Sequence, residues 1–269
     1  MSIRSLLRGA VLLLACAVAP LAAARGAPAE APAAKPPVPL LWKVTGPGDA
    51  RVYLLGSFHL LKPTDYPLSA DVEQAFTASK RVLFEVSPEE MESTQAATQM
   101  VQTAIRRDGS ELKRDLDDAT WQKLQAYATQ NKLPLAQLQG MKSWFVALNI
   151  TIGQMQKMGL DANLGLDRYF MAQAKKAGKQ TGGLEDMQSQ INLLDGMSLQ
   201  EQRQMMAEAL DQAEKGDAQS LMLHDAWRRG DDRLLWNKMA VEMRQQYPQL
   251  YQRINTGRND AWVPKLVPY

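Results

Sequence analysis

Histidine and cysteine are what this chain has least of: among 269 residues there are two histidines, His59 and His224, and one cysteine, Cys16. One cysteine excludes an internal disulfide framework and any site built from paired thiolates. Two histidines confine imidazole chemistry to His59, His224 or a partner. Long apolar runs are missing too. Past the first 24 residues no stretch reaches the roughly 18 residues that a transmembrane helix needs. The chain contains no Gly-x-Ser-x-Gly elbow, no phosphate loop ending in Gly-Lys-Ser/Thr and no His-Glu-x-x-His helix, which argues against a serine hydrolase, a P-loop nucleotidase and a helix-borne zinc protease.

The N-terminus carries Arg4 and Arg8, then an apolar run from Gly9 to Ala19, then Ala22-Ala23-Ala24. This order reads as a secretory signal over residues 1–24 and places the mature protein in the periplasm or outside the cell. Leu13-Leu14-Ala15-Cys16 resembles a lipobox, so a lipid anchor at Cys16 is the competing expectation. Cleavage after Ala24 would remove Arg4 and Arg8 from the 31 basic residues, leaving 29 against 29 acidic ones. A balance near zero argues against a general nucleic-acid partner. Residues 25–39 are mostly Ala and Pro, a linker composition that cannot bury a core. Residues 40–269 suit one domain.

Within that domain, Leu41 to Thr45 and Arg51 to Phe58 read as strands joined by the turn Gly46-Pro47-Gly48-Asp49. Ser69 to Ser79 has helical spacing with Ser69 as N-cap. Arg81 to Val86 is a short apolar strand and Lys179 to Leu184 another, with helix-rich sequence between them, broken near Asp108-Gly109 and Lys132-Leu133-Pro134. Helices follow at 198–215, 218–229, 231–246 and around 259–267. Few strands and many helices predict an α+β fold, a small sheet covered by a large helical layer.

The strand Arg51 to Phe58 runs through Gly56 into His59, which places an imidazole at a strand end. Glu85 and Glu185 stand at the ends of the other two strand candidates. Sites form outside the carboxyl ends of strands in open sheets, so the three are expected to converge although far apart in sequence. One imidazole and two carboxylates would suit a divalent metal with positions left for water. An unpaired glutamate within Leu83-Phe84-Glu85-Val86 would be costly to bury, which favours a site role for Glu85. Asp167 reads first as an acid in the opening turn of a helix, and Asp186 as a helix cap. His224 reads as a core or surface histidine, Arg228-Arg229 as a solvated pair, and Arg258 as a cation able to clamp a substrate carboxylate.

Leu41-Trp42-Lys43-Val44, Tyr53-Leu54-Leu55-Gly56-Ser57-Phe58-His59 and Val82-Leu83-Phe84-Glu85-Val86 resemble the TraB/GumN family, relatives of the Tiki metalloproteases. Gly165-Leu166-Asp167, Gly183-Leu184-Glu185 with Gln188 and Gln190, Ala226-Trp227 with Gly230-Asp231, and Arg258-Asn259 continue the resemblance in order. It implies an αβ fold, a site of two Gly-x-x-His motifs and a glutamate, and peptidase-like hydrolysis with manganese or cobalt. Gly56 and His59 match the first motif and Glu85 the glutamate. Glu185 matches a further block. The second Gly-x-x-His is expected beyond the Arg-Asn block, and the sequence ends at Tyr269 with no histidine there. Two expectations stand: the sequence is a truncated version of a longer protein that carries the second motif, or this is a member that has lost half its histidine pair and binds a peptide or small molecule without cleaving it.

Overall fold

The computed structural model describes residues 35–38, 40–216, 218–246 and 248–269. The signal, the Cys16 anchor and most of the 25–39 linker therefore lie outside the described residues. The end of that linker, Lys35 to Val38, lies on the domain: Val38 N donates to Arg228 O at 2.8 Å, and Lys35 O accepts from Arg228 Nη2 at 2.8 Å.

The architecture is α+β, as the sequence predicts, but the strands form two separate pairs. β1 (Leu41–Thr45) and β2 (Arg51–Leu55) form an antiparallel hairpin, with Leu41 opposite Leu55 and Thr45 opposite Arg51. Its turn is tight, and Gly48 takes a left-handed φ of 65° that suits glycine. β3 (Arg81–Val86) and β4 (Gln180–Glu185) pair in parallel, with Val86 opposite Glu185. The single sheet expected to carry all three site residues is thus corrected. β2 ends at Leu55, so His59 sits on a loop four residues past the hairpin, whereas Glu85 and Glu185 belong to the parallel pair.

Helices α1 (Ala70–Ala78), α2 (Pro88–Met91), α3 (Thr94–Ala104), α4 (Asp118–Gln130), α5 (Leu135–Gln139), α6 (Ser143–Lys157) and α7 (Leu166–Lys176) precede β4. After it come α8 (Met187–Asp195), α9 (Leu199–Lys215), α10 (Ala218–Arg229), α11 (Asp232–Trp236), α12 (Glu242–Gln246), α13 (Pro248–Tyr251) and α14 (Gly257–Leu266). Short π turns at Asn237–Val241 and Gln252–Thr256 join α11 to α12 and α13 to α14. None of the helices is long and apolar enough to cross a membrane among the described residues.

Sequence explains much of this locally. α9 starts at Ser198, whose hydroxyl accepts from Glu201 N while Glu201 Oε2 accepts from Ser198 N at 2.7 Å, a reciprocal cap. Met205, Met206, Ala209 and Leu210 then form its buried stripe, packed against Trp144, Ala147 and Leu148 of α6 in the larger core cluster. The smaller cluster joins the hairpin to α1, α7 and α10 through Phe58, Leu61, Val72, Phe170, Leu223 and Trp227. Ser69 has N-cap backbone geometry, but its side chain makes no capping bond.

Candidate functional site

The loop after β2 carries His59 between Phe58 of the smaller core cluster and Leu60 of the larger one. Phe58, just before it, is buried, and Phe58 O accepts from Leu166 N at 3.0 Å, tying this loop to the first turn of α7. That contact requires Gly165: a Cβ there would lie 2.1 Å from His59 O. The close approach brings Asp167 onto the imidazole, and His59 Nδ1 meets Asp167 Oδ2 at 2.5 Å. Asp167 is thus the partner of His59 as well as an acid in a helix's first turn. Gly165-Leu166-Asp167 was the signal, and it names the residue without naming its partner.

Glu85 and Glu185 meet at the carboxyl ends of β3 and β4 around one guanidinium. Arg258 Nη2 donates to Glu85 Oε2 at 2.8 Å and also to Glu185 Oε1, while Arg258 Nε donates to Glu185 Oε2 at 3.1 Å. Gln190 Nε2 donates to Glu185 Oε1 at 2.8 Å and to Glu85 Oε2 at 3.3 Å. Arg258 is only 9% exposed, and its far face stacks on Trp262 with 4.7 Å to the ring centroid. Arg258 is the second residue of α14, directly after the π turn Gln252–Thr256, and such turns are frequent at functional sites. Gly183 allows the strand ends to close, because a Cβ there would stand 2.6 Å from Ser87 N. Arg258 therefore clamps two carboxylates of its own chain. Gln190 and Trp262 complete the group, and Gln190 was visible beforehand only as part of the resemblance.

The two halves are electrically one cluster. Burial alone would lower the His59 pKa, but Asp167 and then Glu85 outweigh it and hold the pKa above 6.5. Burial raises the Glu85 pKa, and neighbouring Asp167 adds to that rise while His59 and Arg258 oppose it. Asp167 goes the other way: burial would raise it, but His59, with help from Ser57, lowers it. Three carboxylates face one fixed cation, so protons on His59 and Glu85 are what bring the cluster towards neutrality. Two adjacent groups that hold protons more tightly than usual are the raw material of acid–base chemistry. With Asp167 on Nδ1, the Nε2 atom of His59 is the one left to exchange a proton with a ligand.

A cleft of about 610 Å³ adjoins the cluster, lined by Ser87, Glu90, Glu185, Arg253, Arg258 and Lys265 among others. It reaches Glu185 and Arg258 but is not lined by His59 or Glu85, so it approaches the cluster from the Arg258 side.

His224 lies elsewhere. It is 2% exposed, and its Nε2 meets Asp65 Oδ2 at 2.8 Å, while Lys62 N and Arg228 Nη1 also donate to that carboxylate. The expectation of a solvated Arg228 is corrected here, since the buried Asp65 needs its charge compensated.

The match that decides relationship is a family model: the TraB/PrgY/gumN model covers residues 40–269. The chain belongs to the TraB/PrgY/gumN family. Comparisons with curated proteins and with solved structures found no match. Membership raises the question of a divalent metal on His59, Glu85 and Glu185, and the donor set answers it in this arrangement. His59 Nδ1 is held by Asp167, and both carboxylates already accept from Arg258, whose charge would repel an added cation. Among the described residues no three His, Cys, Asp or Glu side chains are disposed to share an ion. As they stand, these residues do not fit the metal.

Proposed function

We propose that this TraB/PrgY/gumN protein is a hydrolase of the cell envelope acting on peptide-like bonds, with His59 as its acid–base residue. The observation that carries this reading is the 2.5 Å contact of His59 with Asp167 beside Glu85, whose own pKa is raised. In the neutral imidazole, Asp167 accepts the Nδ1 proton and leaves Nε2 basic. That atom takes a proton from an attacking water, and the imidazolium formed is stabilised by Asp167. Glu85, in its protonated form, gives its proton to the leaving amine, and the proton held by His59 then passes to the Glu85 carboxylate through solvent, which restores both groups. The envelope location rests on the signal-like pattern of Arg4, Arg8 and residues 9–24.

Ligand binding without turnover is the second reading. It is favoured by the cleft, which meets Arg258 and Glu185 and not His59. Incubating the purified chain with a mixed peptide pool, followed by mass spectrometry of the products, separates the two. Cleavage that disappears in His59→Ala supports the hydrolase. Peptide binding that survives His59→Ala, with no products from either protein, supports the binder.

A further inference from the structure

We propose that Arg258 is the resident cation of this centre, and that it closes Glu85 and Glu185 to divalent metal ions. The geometry shows how. The guanidinium engages Glu185 through Nε and Nη2 in a two-point fork and reaches Glu85 Oε2 with the same Nη2 at 2.8 Å. Glu85, Glu185 and the Gln190 side chain surround it, and this oxygen-rich set, once the guanidinium is gone, is the kind that hard divalent ions prefer. An ion chelated by both carboxylates would have to take the place of a buried side chain that is stacked on Trp262 and bonded to Ile254 O at 3.5 Å. An arginine also differs from a metal in what it offers. It fixes charge and supplies N–H donors, but it has no open position to bind and acidify water. Under the hydrolase reading, the centre therefore depends on the side chains of this chain for its proton transfers.

The test measures ion binding without substrate, so its result is independent of whether the chain hydrolyses anything. The full chain is stripped with EDTA, titrated with Mn²⁺ and separately with Co²⁺, and followed by calorimetry and by the visible absorption of Co²⁺. Wild type and Arg258→Lys, which keeps the positive charge, are expected to bind neither ion at this centre. Arg258→Met, which keeps a similar apolar stem, is expected to take up one ion per chain, at least roughly 10²-fold more tightly than wild type, and to lose it again when combined with Glu185→Gln. Stoichiometric binding by wild type that Glu185→Gln abolishes would overturn the proposal. So would a folded Arg258→Met protein, checked by circular dichroism, that gains no ion. If Arg258→Met does not fold, the comparison of wild type with Glu185→Gln decides alone: equal absence of binding supports the proposal, and Glu185-dependent binding overturns it.

Discussion

The two histidines occupy two versions of one motif, a buried imidazole paired with an aspartate and with an arginine close by. Around His224, the carboxylate partner is fully engaged. Asp65 accepts from His224, from Lys62 N at 2.7 Å and from Arg228, and the imidazole packs between Phe58, 5.6 Å away by ring centroid, and Trp227, 6.3 Å away. Around His59, one ring nitrogen is held by Asp167, and the next neighbours are carboxylates and a guanidinium in place of aromatic rings. The difference is one of surroundings. Aromatic walls and a fully bonded carboxylate make a brace, whereas a second acidic pair within electrostatic reach makes a group whose proton can move. Phe58 sits directly before His59 and packs on His224, so the brace also steadies the site loop. Tyr66 stands between the pairs: burial raises its pKa first, and Asp65 and Asp167 both add to the rise, which keeps it a neutral donor to Leu164 O at 2.6 Å.

The largest expected effect separates the pairs by function. His59→Ala should lower the rate of any hydrolysis by about 10²–10⁴-fold, while His224→Gln, assayed on the folded fraction, should leave that rate within a few fold. Equal losses in both, at equal folded fractions, would remove the distinction. Next is stability. Asp65→Ala leaves Arg228 and His224 without their carboxylate and should cost about 3–5 kcal/mol in urea unfolding. Asp167→Ala should cost less, because Arg258 and Glu85 still share the cluster's charge. A larger loss for Asp167→Ala would reverse the assignment of brace and site.

Acid and alkaline limbs of the stability curve sharpen the same contrast. The Asp65 pKa is lowered: burial works to raise it, but His224, Lys62 N and Arg228 together do more. Its stabilisation is therefore present above its ordinary value of 3.8 and is lost as pH falls through the lower folded value. His59 has a raised pKa, so its stabilisation is present below 6.5 and is lost as pH rises through the folded value. Melting temperature measured against pH should show the acid limb flattened in Asp65→Asn and the neutral-to-alkaline limb flattened in His59→Gln. The smallest effect tests the tether between brace and hairpin. Trp227 Nε1 donates to Gly56 O at 3.0 Å, and Trp227→Phe should cost about 1 kcal/mol by urea titration, with no change in the His59 contact.

Sequence alone determined the local elements and the residue types of the site. Alternating and helical periodicity, the Gly46-Pro47-Gly48-Asp49 turn and the Ser198 and Asp186 caps are written into neighbouring residues. β1 and β3 fall where the pattern puts them, β4 shifts by one residue to end on Glu185, and Asp186 caps α8 through Ser189 N at 2.7 Å. His59, Glu85 and Glu185 stood out because an imidazole or a carboxylate at the end of an apolar run is costly unless it is partnered. Which partner each one takes was decided only by the tertiary structure. His59 and Asp167 are 108 positions apart, Glu85 and Arg258 are 173 apart, and Asp65 and His224 are 159 apart. Pairing over such separations is set by how the helices close around two small strand pairs. The energy that selects it belongs to the desolvated cluster as a whole, and no single residue's pattern carries it.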